Sequence, residues 1–281
     1  MIRIRVLIAC HDRREKTLAC LRALRSQRSA LKKARIAVSL FDDGSTDGTA
    51  QAVEKAGLAE KVYHGDGSYY WCGAMRYLVE RAVRPEDDLV LFLNDDTVLM
   101  PGALAEMLKA SALQADKRSI IVGAIRATAA PSTTYGGLVR ASRWHRFRFV
   151  RLDPKGLMQK CDTFNGNCLL IPGRTLNLLG GLSARFVHAF GDIDLGLRAA
   201  EVGIPLILTP DYVGKCDLNG RSRPKATLSE RWGSLVSPKG LPPSQHLYFC
   251  RRHGGFFWPL FFVLPMARLL APDFSRRKRG V

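Results

Sequence analysis

Three short apolar segments in the first hundred residues end abruptly in polar or acidic side chains. They are residues 4–10, followed by His11 and Asp12; residues 36–41, followed by Asp42 and Asp43; and residues 89–93, followed by Asn94, Asp95 and Asp96. Amphipathic segments lie between them, and strands alternating with such helices are typical of βαβ units on a mostly parallel sheet. Ligands bind outside the carboxyl ends of strands in such a sheet. The pattern therefore predicts an α/β fold with a carboxylate-rich ligand site at one edge.

The same alternation continues along the chain. It predicts strands near residues 3–10, 35–41, 60–64, 88–93, 119–125, 167–171 and 205–208, and helices near 14–27, 47–56, 70–84, 102–114 and from about 191. No G-x-G-x-x-G follows the first strand, and the sequence contains no Walker A motif. Both absences argue against a dinucleotide dehydrogenase and a P-loop NTPase, because glycine-rich loops cradle the phosphates in those classes.

The segment 218–281 is strongly basic. It holds twelve Lys or Arg and two acidic residues, so it carries ten of the eighteen net positive charges and favours an anionic partner. Its uncharged run, 254–267, is shorter than the roughly 20 residues of a spanning helix and contains two prolines. With basic flanks that include 276–279, it predicts an interfacial or re-entrant membrane segment. A hydrophobic hairpin packed on the domain, or a dimer contact, is the alternative.

Cysteine usage and the N-terminus indicate the compartment. The seven cysteines form no C-x-x-C pair, which fits a reduced, cytosolic chain. The N-terminal strand turns charged at residues 12–15 and lacks the apolar core and cleavage site of a signal peptide. We therefore expect no export through the Sec route, and a peripheral location on the cytoplasmic face of the cell membrane.

The acidic clusters have the chemistry of a nucleotide site. Asp42 and Asp43 can accept hydrogen bonds from a base or ribose, and Gly44 lets the backbone pass close to a ligand. The alternative is that residues 45–47 are helix caps, which leaves the Asp pair unexplained. Asp95 and Asp96 suit Mg²⁺ or Mn²⁺, which often bind one or two carboxylates plus substrate phosphates. Capping by Thr97 of a helix near residue 101 is the alternative there.

The run from Asp42 to Thr49, followed about fifty residues later by Asn94-Asp95-Asp96, resembles the inverting family 2 glycosyltransferases. The resemblance covers residues 3 to about 217. It implies a GT-A (Rossmann-like) α/β domain over 1–217, with a mostly parallel mixed sheet flanked by helices. Residues 1–125 would form the nucleotide-sugar half and 126–217 the acceptor half. Segment 218–281 would then be a basic, apolar helical appendage for membrane association.

The resemblance also assigns the donor side of the site. It implies that the donor is bound by Ala9, His11, Arg13, Asp42, Asp43, Gly67, Trp71, Gly73, Asn94 and Asp95. Asp96 would bind a divalent metal, Mg²⁺ or Mn²⁺, with Asn94 replacing the first Asp of the D-x-D motif. Cys216 stands where many relatives carry a His ligand, and a thiolate suits softer metals than Mg²⁺. Lys215 is a candidate to neutralise the departing diphosphate.

The stretch 189–198 matches the family's E-D-x-D-L-x-x-R segment and implies that Asp192 is the catalytic base. The alternative for Asp192 is a helix N-cap. Asp194 lies two residues on and would face elsewhere on a helix, in a structural or acceptor-binding role. The acceptor side would comprise Asn165, Asn167, His188 and Asp194.

These features predict a glycosyltransferase that moves a sugar from a nucleotide-diphosphate donor to a hydroxyl of a glycan or lipid-linked acceptor, with inversion. Segments 70–75 and 237–243 resemble bacterial cell-surface polysaccharide enzymes, among which rhamnosyltransferases are frequent. Two alternatives are a sugar-phosphate nucleotidyltransferase and a basic membrane or nucleic-acid scaffold. The acidic strand ends would repel nucleic-acid phosphates, so no nucleic-acid partner is expected.

Overall fold

The computed structural model describes residues 1–27, 31, 34–218 and 227–270. The strands are β1 (Ile2–Cys10), β2 (Ala34–Asp42), β3 (Lys61–His64), β4 (Leu89–Leu93), β5 (Val98–Leu99), β6 (Ile120–Arg126), β7 (Thr133–Tyr135), β8 (Gly137–Arg140), β9 (Phe149–Arg151), β10 (Gln159–Lys160), β11 (Thr163–Phe164), β12 (Cys168–Pro172) and β13 (Leu206–Lys215). The helices are α1 (Arg14–Gln27), α2 (Thr49–Lys55), α3 (Tyr70–Ala82), α4 (Ala103–Ala112), α5 (Gly173–Leu178), α6 (Gly191–Glu201), α7 (Leu228–Val236), α8 (Pro243–His253) and α9 (Trp258–Leu270), with a 3₁₀ turn at Gly255–Phe257. The predicted basic flank at 276–279 lies outside the described residues.

The α/β class and the alternation of elements are confirmed. The strands and helices predicted in residues 1–125 lie within two residues of their predicted bounds. Strand β13 runs seven residues beyond its predicted end at Leu208, because the chain absorbs Pro210 and Asp211 in register shifts between Leu208 and Gly214. An irregular stretch of this kind lets a proline sit within a strand without breaking the ladder on both sides.

The main sheet has the order β10-β13-β6-β12-β4-β1-β2-β3. Strands β3, β2, β1 and β4 are parallel to one another, as are β6 and β13. Strand β12 lies between these two parallel groups and is antiparallel to both neighbours. Its first residue therefore sits beside the carboxyl end of β4, where the amide of Asn94 donates to the carbonyl of Asn167 at 2.9 Å. A reversed strand thus brings a later part of the chain to the acidic edge.

Alternating side chains of the strands build one core on each face of the sheet. Along β1, Val6 and Ile8 point into a core completed by α1 and α4, whereas Leu7 points into a core completed by α3, α6 and α8. This period of two is the geometry of a strand covered on both faces. Both faces are largely apolar, and the acidic residues Asp43, Asp95 and Asp96 follow the carboxyl ends of β2 and β4.

The C-terminal helix α8 packs on the body formed by residues 1–217. The ring of buried His253 donates to Asp194 of α6 at 2.8 Å, and Arg252 pairs with Glu201 at 2.6 Å. Phe249 is buried against Phe190 with ring centroids 4.7 Å apart. Residues 243–253 therefore pack against the body formed by residues 1–217. Within the described residues, no helix is long and apolar enough to cross a bilayer.

Candidate active site

A cavity of about 380 Å³ opens at the carboxyl ends of β1, β2 and β4. Twelve of the predicted site residues line it: Ala9, His11, Arg13, Asp43, Gly67, Trp71, Asn94, Asp95, Asp96, Asn167, His188 and Asp192. Five further lining residues were not among the predicted ones: Cys10, Tyr70, Tyr135, Gly166 and Lys239. The strand-end pattern and the later motifs thus converge on one cavity.

Asp43 holds the glycine-containing loop 65–70 in place. Its carboxylate accepts hydrogen bonds from the amides of Gly67 at 3.0 Å, Tyr69 at 3.3 Å and Tyr70 at 2.7 Å. A side chain at Gly65 would meet an Asp43 oxygen at 2.5 Å, so only glycine fits there. Asp43 therefore shapes the wall of the cavity through the backbone, in addition to facing the cavity itself.

Asp42 lies outside the cavity. It is buried, and its carboxylate accepts the amide of Ser45 at 2.8 Å, which turns the chain after β2. None of residues 45–47 is the N-cap of α2, which is Gly48; Asp47 precedes it and accepts the amide of Thr49, the first residue of α2, at 3.0 Å. The Ser45 hydroxyl instead accepts the amide of Asp12 at 2.9 Å and joins the two strand-end loops. The two adjacent acids therefore have different roles: Asp42 stabilises the turn after β2, and Asp43 faces the cavity.

Trp71 connects the donor edge to the segment before β12. Its indole N–H donates to the side-chain oxygen of Asn94 at 2.8 Å. A Cβ at Gly166 would lie 2.5 Å from the Trp71 ring and 3.2 Å from Asp192, so the ring fills the space that a larger residue would need. Asn94, which replaces the first Asp of the D-x-D motif, therefore accepts a hydrogen bond from the uncharged indole of Trp71.

Arg13 bridges the two carboxylates at the end of β4. One guanidinium nitrogen lies 2.7 Å from Asp96 and 3.3 Å from Asp95. Burial raises the pKa of Asp95 to about 7, and the charge of Arg13 opposes that rise. A carboxylate pair in contact is costly unless a cation neutralises it. Arg13 supplies that cation within the chain.

The residues around Asp96 fit a hard divalent cation that shares its shell with phosphate oxygens. The carboxylate oxygens accept from Arg13 and, at 3.4 Å, from the thiol of Cys216, and each retains a lone pair for a metal. Burial and the charge of Asp96 raise the pKa of Cys216 to about 12, so without a bound cation this thiol is protonated and donates to Asp96. Among the described residues no cluster of three His, Cys, Asp or Glu could hold a metal alone. A metal here would take its remaining ligands from the donor diphosphate or water, as Mg²⁺ commonly does.

Asp192 lies in the first turn of α6 and faces the cavity from the side of β12. Its carboxylate accepts the amides of Gly166 at 2.9 Å and Ile193 at 2.8 Å. Burial raises its pKa despite these hydrogen bonds, and a raised pKa makes a carboxylate a better proton acceptor near neutral pH. The helix begins at Gly191 after Phe190, so Asp192 is not the N-cap of α6.

His188 and Lys239 also line the cavity, and His188 lies beside loop 65–70. The His188 ring lies 6.0 Å from the Tyr70 ring, and its buried Nδ1 has no hydrogen-bond partner among the described residues. Burial lowers the pKa of His188, and the positive charges of Lys239 and Arg13 lower it further. A neutral ring with an unused buried nitrogen is suited to hydrogen bonding with a sugar hydroxyl.

Three other predicted residues do not line the cavity. Asp194 is buried between His253 and Arg198, each 2.8 Å away, which agrees with its helical offset from Asp192 and leaves no oxygen facing the acceptor side. Burial acts to raise the pKa of Asp194, but the hydrogen bond from His253 and the charge of Arg198 outweigh it and lower that pKa. Gly73 lies inside α3, where its amide donates to the carbonyl of Val187. Asn165 has a buried side-chain oxygen without a partner among the described residues, behind the cavity wall.

Backbone strain collects around the cavity. Within the described residues, the non-glycine residues with positive φ are Asp12 at 46°, Tyr70 at 51° and Phe190 at 68°. Each is a cavity residue or lies within two residues of one. Such conformations cost roughly 1–3 kcal/mol each and tend to occur at functional sites. The sequence carries no signal for them.

The fold and the cavity together define a glycosyltransferase of the GT-A type. The family model described as Glycosyl transferase family 2 matches residues 5–170, which is more than half of the chain. The chain therefore belongs to glycosyl transferase family 2, and it is an enzyme of the glycosyltransferase class. Membership of this family argues against the alternatives of a sugar-phosphate nucleotidyltransferase and a non-enzymatic scaffold.

Relatives and solved structures agree with this assignment. A curated relative, N-acetylglucosaminyl-diphospho-decaprenol L-rhamnosyltransferase from Mycobacterium tuberculosis, is 27% identical over 201 residues, covering 62% of this chain and 64% of the relative. The mannosyltransferase PcManGT from Pyrobaculum calidifontis, in complex with GDP-Man and Mn²⁺, superposes with a TM-score of 0.56 at 16% identity, over 99% of this chain and 76% of that one. GalNAc-T7 with UDP, GalNAc and Mn²⁺ has a TM-score of 0.62 at 14% identity, over 98% and 55%. These structural likenesses establish the fold.

Proposed function

We propose that the protein transfers a sugar from a nucleotide-diphosphate donor to a hydroxyl of a lipid-linked glycan, with inversion, and that Asp192 is the general base. The observation that supports this most strongly is that Asp192, from the first turn of α6, lines the same cavity as Asp95 and Asp96, which follow β4. A base and a diphosphate site in one cavity allow both to act on a single bound sugar, which an in-line displacement requires.

In the proposed reaction the acceptor oxygen attacks the anomeric carbon from the side of Asp192. As the new C–O bond forms, the hydroxyl proton passes to the Asp192 carboxylate, and the bond between the anomeric carbon and the diphosphate oxygen breaks. The electron pair of that bond leaves with the nucleoside diphosphate. One displacement from the face opposite the leaving group inverts the anomeric centre.

The donor would lie along the carboxyl ends of β1, β2 and β4. His11 donates to the carbonyl of Asp43 at 2.7 Å, and this fixes its ring beside the proposed nucleoside position. Arg13 and Lys239 would contact the phosphates with N–H groups that the carboxylates leave free. A divalent cation held by Asp96 and the diphosphate would neutralise charge on the leaving group.

The proposed acceptor and location follow from the relative and the C-terminal surface. The Mycobacterium tuberculosis relative is named for a lipid-linked acceptor, N-acetylglucosaminyl-diphospho-decaprenol. In this chain, the exposed apolar residues of 256–264 and the basic residues before them suit a peripheral contact with an anionic membrane surface. We therefore propose that the enzyme works at the cytoplasmic face of the membrane, where the segment 218–281 brings it to a lipid-linked substrate.

The donor site can be tested by thermal unfolding of the full chain with UDP, dTDP, GDP or CDP, each with and without Mg²⁺ or Mn²⁺. A ligand at 100 times its dissociation constant stabilises the folded state by about 2.7 kcal/mol. One nucleotide should raise the midpoint, Asp96→Ala should reduce that shift, and Asp211→Ala, at an exposed acid outside the cavity, should not. If no nucleotide raises the midpoint with either metal, the proposed donor site is wrong.

A further inference from the structure

The loop between β8 and β9, residues 141–148, is an arginine-rich and aromatic protrusion of the catalytic body. Five arginines and no acidic residue lie between positions 137 and 151. They are Arg140, Arg143, Arg146, Arg148 and Arg151. Trp144, at the tip of the loop, is 77% exposed, which is unusual for so large an apolar side chain. The loop thus presents an exposed aromatic side chain among exposed arginines.

The loop is continuous with the exposed apolar residues of the C-terminal helix. His145 and Phe147 contact Phe261 of α9 with ring centroids 4.7 and 5.2 Å apart. The Arg146 side chain lies against Gly255, where a Cβ would be 2.6 Å from its guanidinium. We call the exposed large side chains beside this contact the apolar ridge; they are Phe256, Phe257, Leu260, Val263 and Leu264. Loop and ridge therefore form one surface, although they are more than a hundred residues apart in sequence.

The positive charges of the loop are not neutralised within the part of the chain that the structure describes. No carboxylate lies within ion-pair distance of its arginines there, whereas Arg5, Arg13, Arg198 and Arg252 all have acidic partners. Two of the loop arginines, Arg143 and Arg146, line a shallow hollow together with Arg140, the last residue of β8. A hollow with several guanidinium groups matches the geometry of a phosphate.

We propose that residues 141–148 and the apolar ridge together form a docking face for an anionic phospholipid surface. In this arrangement Trp144 inserts at the level of the head groups and the arginines bind lipid phosphates. An amphipathic ring at the interface and basic residues around it are the two features that hold peripheral proteins on anionic bilayers. The proposal rests on the proposed function for its biological purpose, and it extends membrane contact from the C-terminal segment to the catalytic body.

The docking face is physically connected to the acceptor side of the cavity. Phe147 contacts Phe249 at 5.0 Å, and Phe249 stacks on Phe190 at 4.7 Å. Phe190 immediately precedes α6, whose second residue is Asp192. The docking face is thus linked, through consecutive ring contacts, to the helix that carries the proposed base.

The test is sedimentation of the full chain with vesicles, one set of equal phosphatidylglycerol and phosphatidylcholine and one of phosphatidylcholine alone. The wild type should bind the anionic vesicles preferentially. Arg143→Glu and Trp144→Ala should each lower the partition coefficient about tenfold, as expected for changing one or two interfacial contacts. Lys55→Glu makes the same charge change on α2, at an exposed position, and should change partition less than twofold.

Three results would overturn the proposal. The first is that the wild type does not bind anionic vesicles. The second is that Arg143→Glu and Trp144→Ala bind as the wild type does while Leu260→Ser abolishes binding, which would mean that the ridge alone contacts the membrane. The third is that light scattering shows a dimer that these loop variants dissociate, which would make the face a contact between two copies of the chain. The nucleotide-induced thermal shift should be unchanged in both loop variants, which shows that they fold. If the wild type binds anionic vesicles but shows no nucleotide-induced thermal shift, the proposed function is refuted and the proposed docking face is still supported.

Discussion

Asp192→Asn should abolish most of the transferase activity and leave donor binding intact. Removal of a positioned general base typically costs roughly 10²–10⁴-fold in rate. The asparagine has nearly the same shape, so its oxygen can still accept from one of the two amides, that of Gly166 or Ile193, which the carboxylate now binds. Its NH₂ group then faces the other N–H, and leaving that donor unsatisfied costs about 1–3 kcal/mol of stability. The variant should therefore fold, with a modestly lower unfolding midpoint.

The pH dependence follows from the direction of the shift. Burial raises the pKa of Asp192 above its ordinary 3.8, and the carboxylate is active only when deprotonated. For the wild type, kcat/KM should be at its plateau above that raised pKa and fall as the pH drops through it. In Asp192→Asn this limb should disappear, because no group is left to titrate in that role.

The assay is release of nucleoside diphosphate with a saturating acceptor, measured from pH 4 to 9, beside nucleotide-induced thermal shifts. Asp194→Asn is the matched control, since it alters an acid of the same helix that points away from the cavity. It should lose stability and retain the acidic limb of the pH profile. Activity of Asp192→Asn within tenfold of the wild type, with the same acidic limb, would refute the assignment of Asp192 as the base.

Three further variants test the residues that support and surround the base. Asp194→Asn should lower the free energy of unfolding in urea by about 3–5 kcal/mol, because it removes the charge buried against His253; a loss below 1 kcal/mol would contradict this. Because folding lowers the pKa of Asp194, the ionised carboxylate should contribute its full stabilisation of the folded state above its ordinary pKa of 3.8 and lose it as the pH falls further. Asp194→Asn should abolish this pH dependence of stability. Gly166→Ala should lower kcat/KM at least tenfold with little change in secondary structure, since the new methyl group would push Trp71 towards the donor; an unchanged rate would show that the ring can move freely. Lys239→Met should raise the KM for the donor about tenfold with a smaller effect on kcat, as expected for a lost charged hydrogen bond; an unchanged KM would remove Lys239 from the phosphate site.

The sequence predicted the sheet well because its signals are local. Apolar strands such as Leu89–Leu93 end in polar residues over a few positions, and parallel order brings those ends together without any further information. The same locality limits what the sequence can assign. Asp42 and Asp43 are adjacent and chemically identical, and only the position of loop 65–70 decides that Asp43 faces the cavity while Asp42 forms a turn.

Residues brought to the site by long-range packing could not be predicted in this way. Lys239 reaches the cavity from the turn between α7 and α8, where Gly240 fits because a Cβ would lie 1.9 Å from the carbonyl of Ser234. Tyr135 arrives from a short strand next to β6. For Asp194 the helical offset from Asp192 was a usable signal, but its partner His253, 59 residues later, was not.

Strand β12 determines how the molecule can assemble. It is the only described strand that joins the group β3-β2-β1-β4 to the pair β6 and β13, and it emerges after residue 167. Until it pairs, the nascent chain exposes β4 as an unprotected sheet edge, which is prone to aggregation. The long sequence separation between β1, β4 and β12 also favours slow folding, because loop closure precedes the contacts that reward it. The two parallel groups therefore depend on the same five-residue strand, since it covers the open side of each.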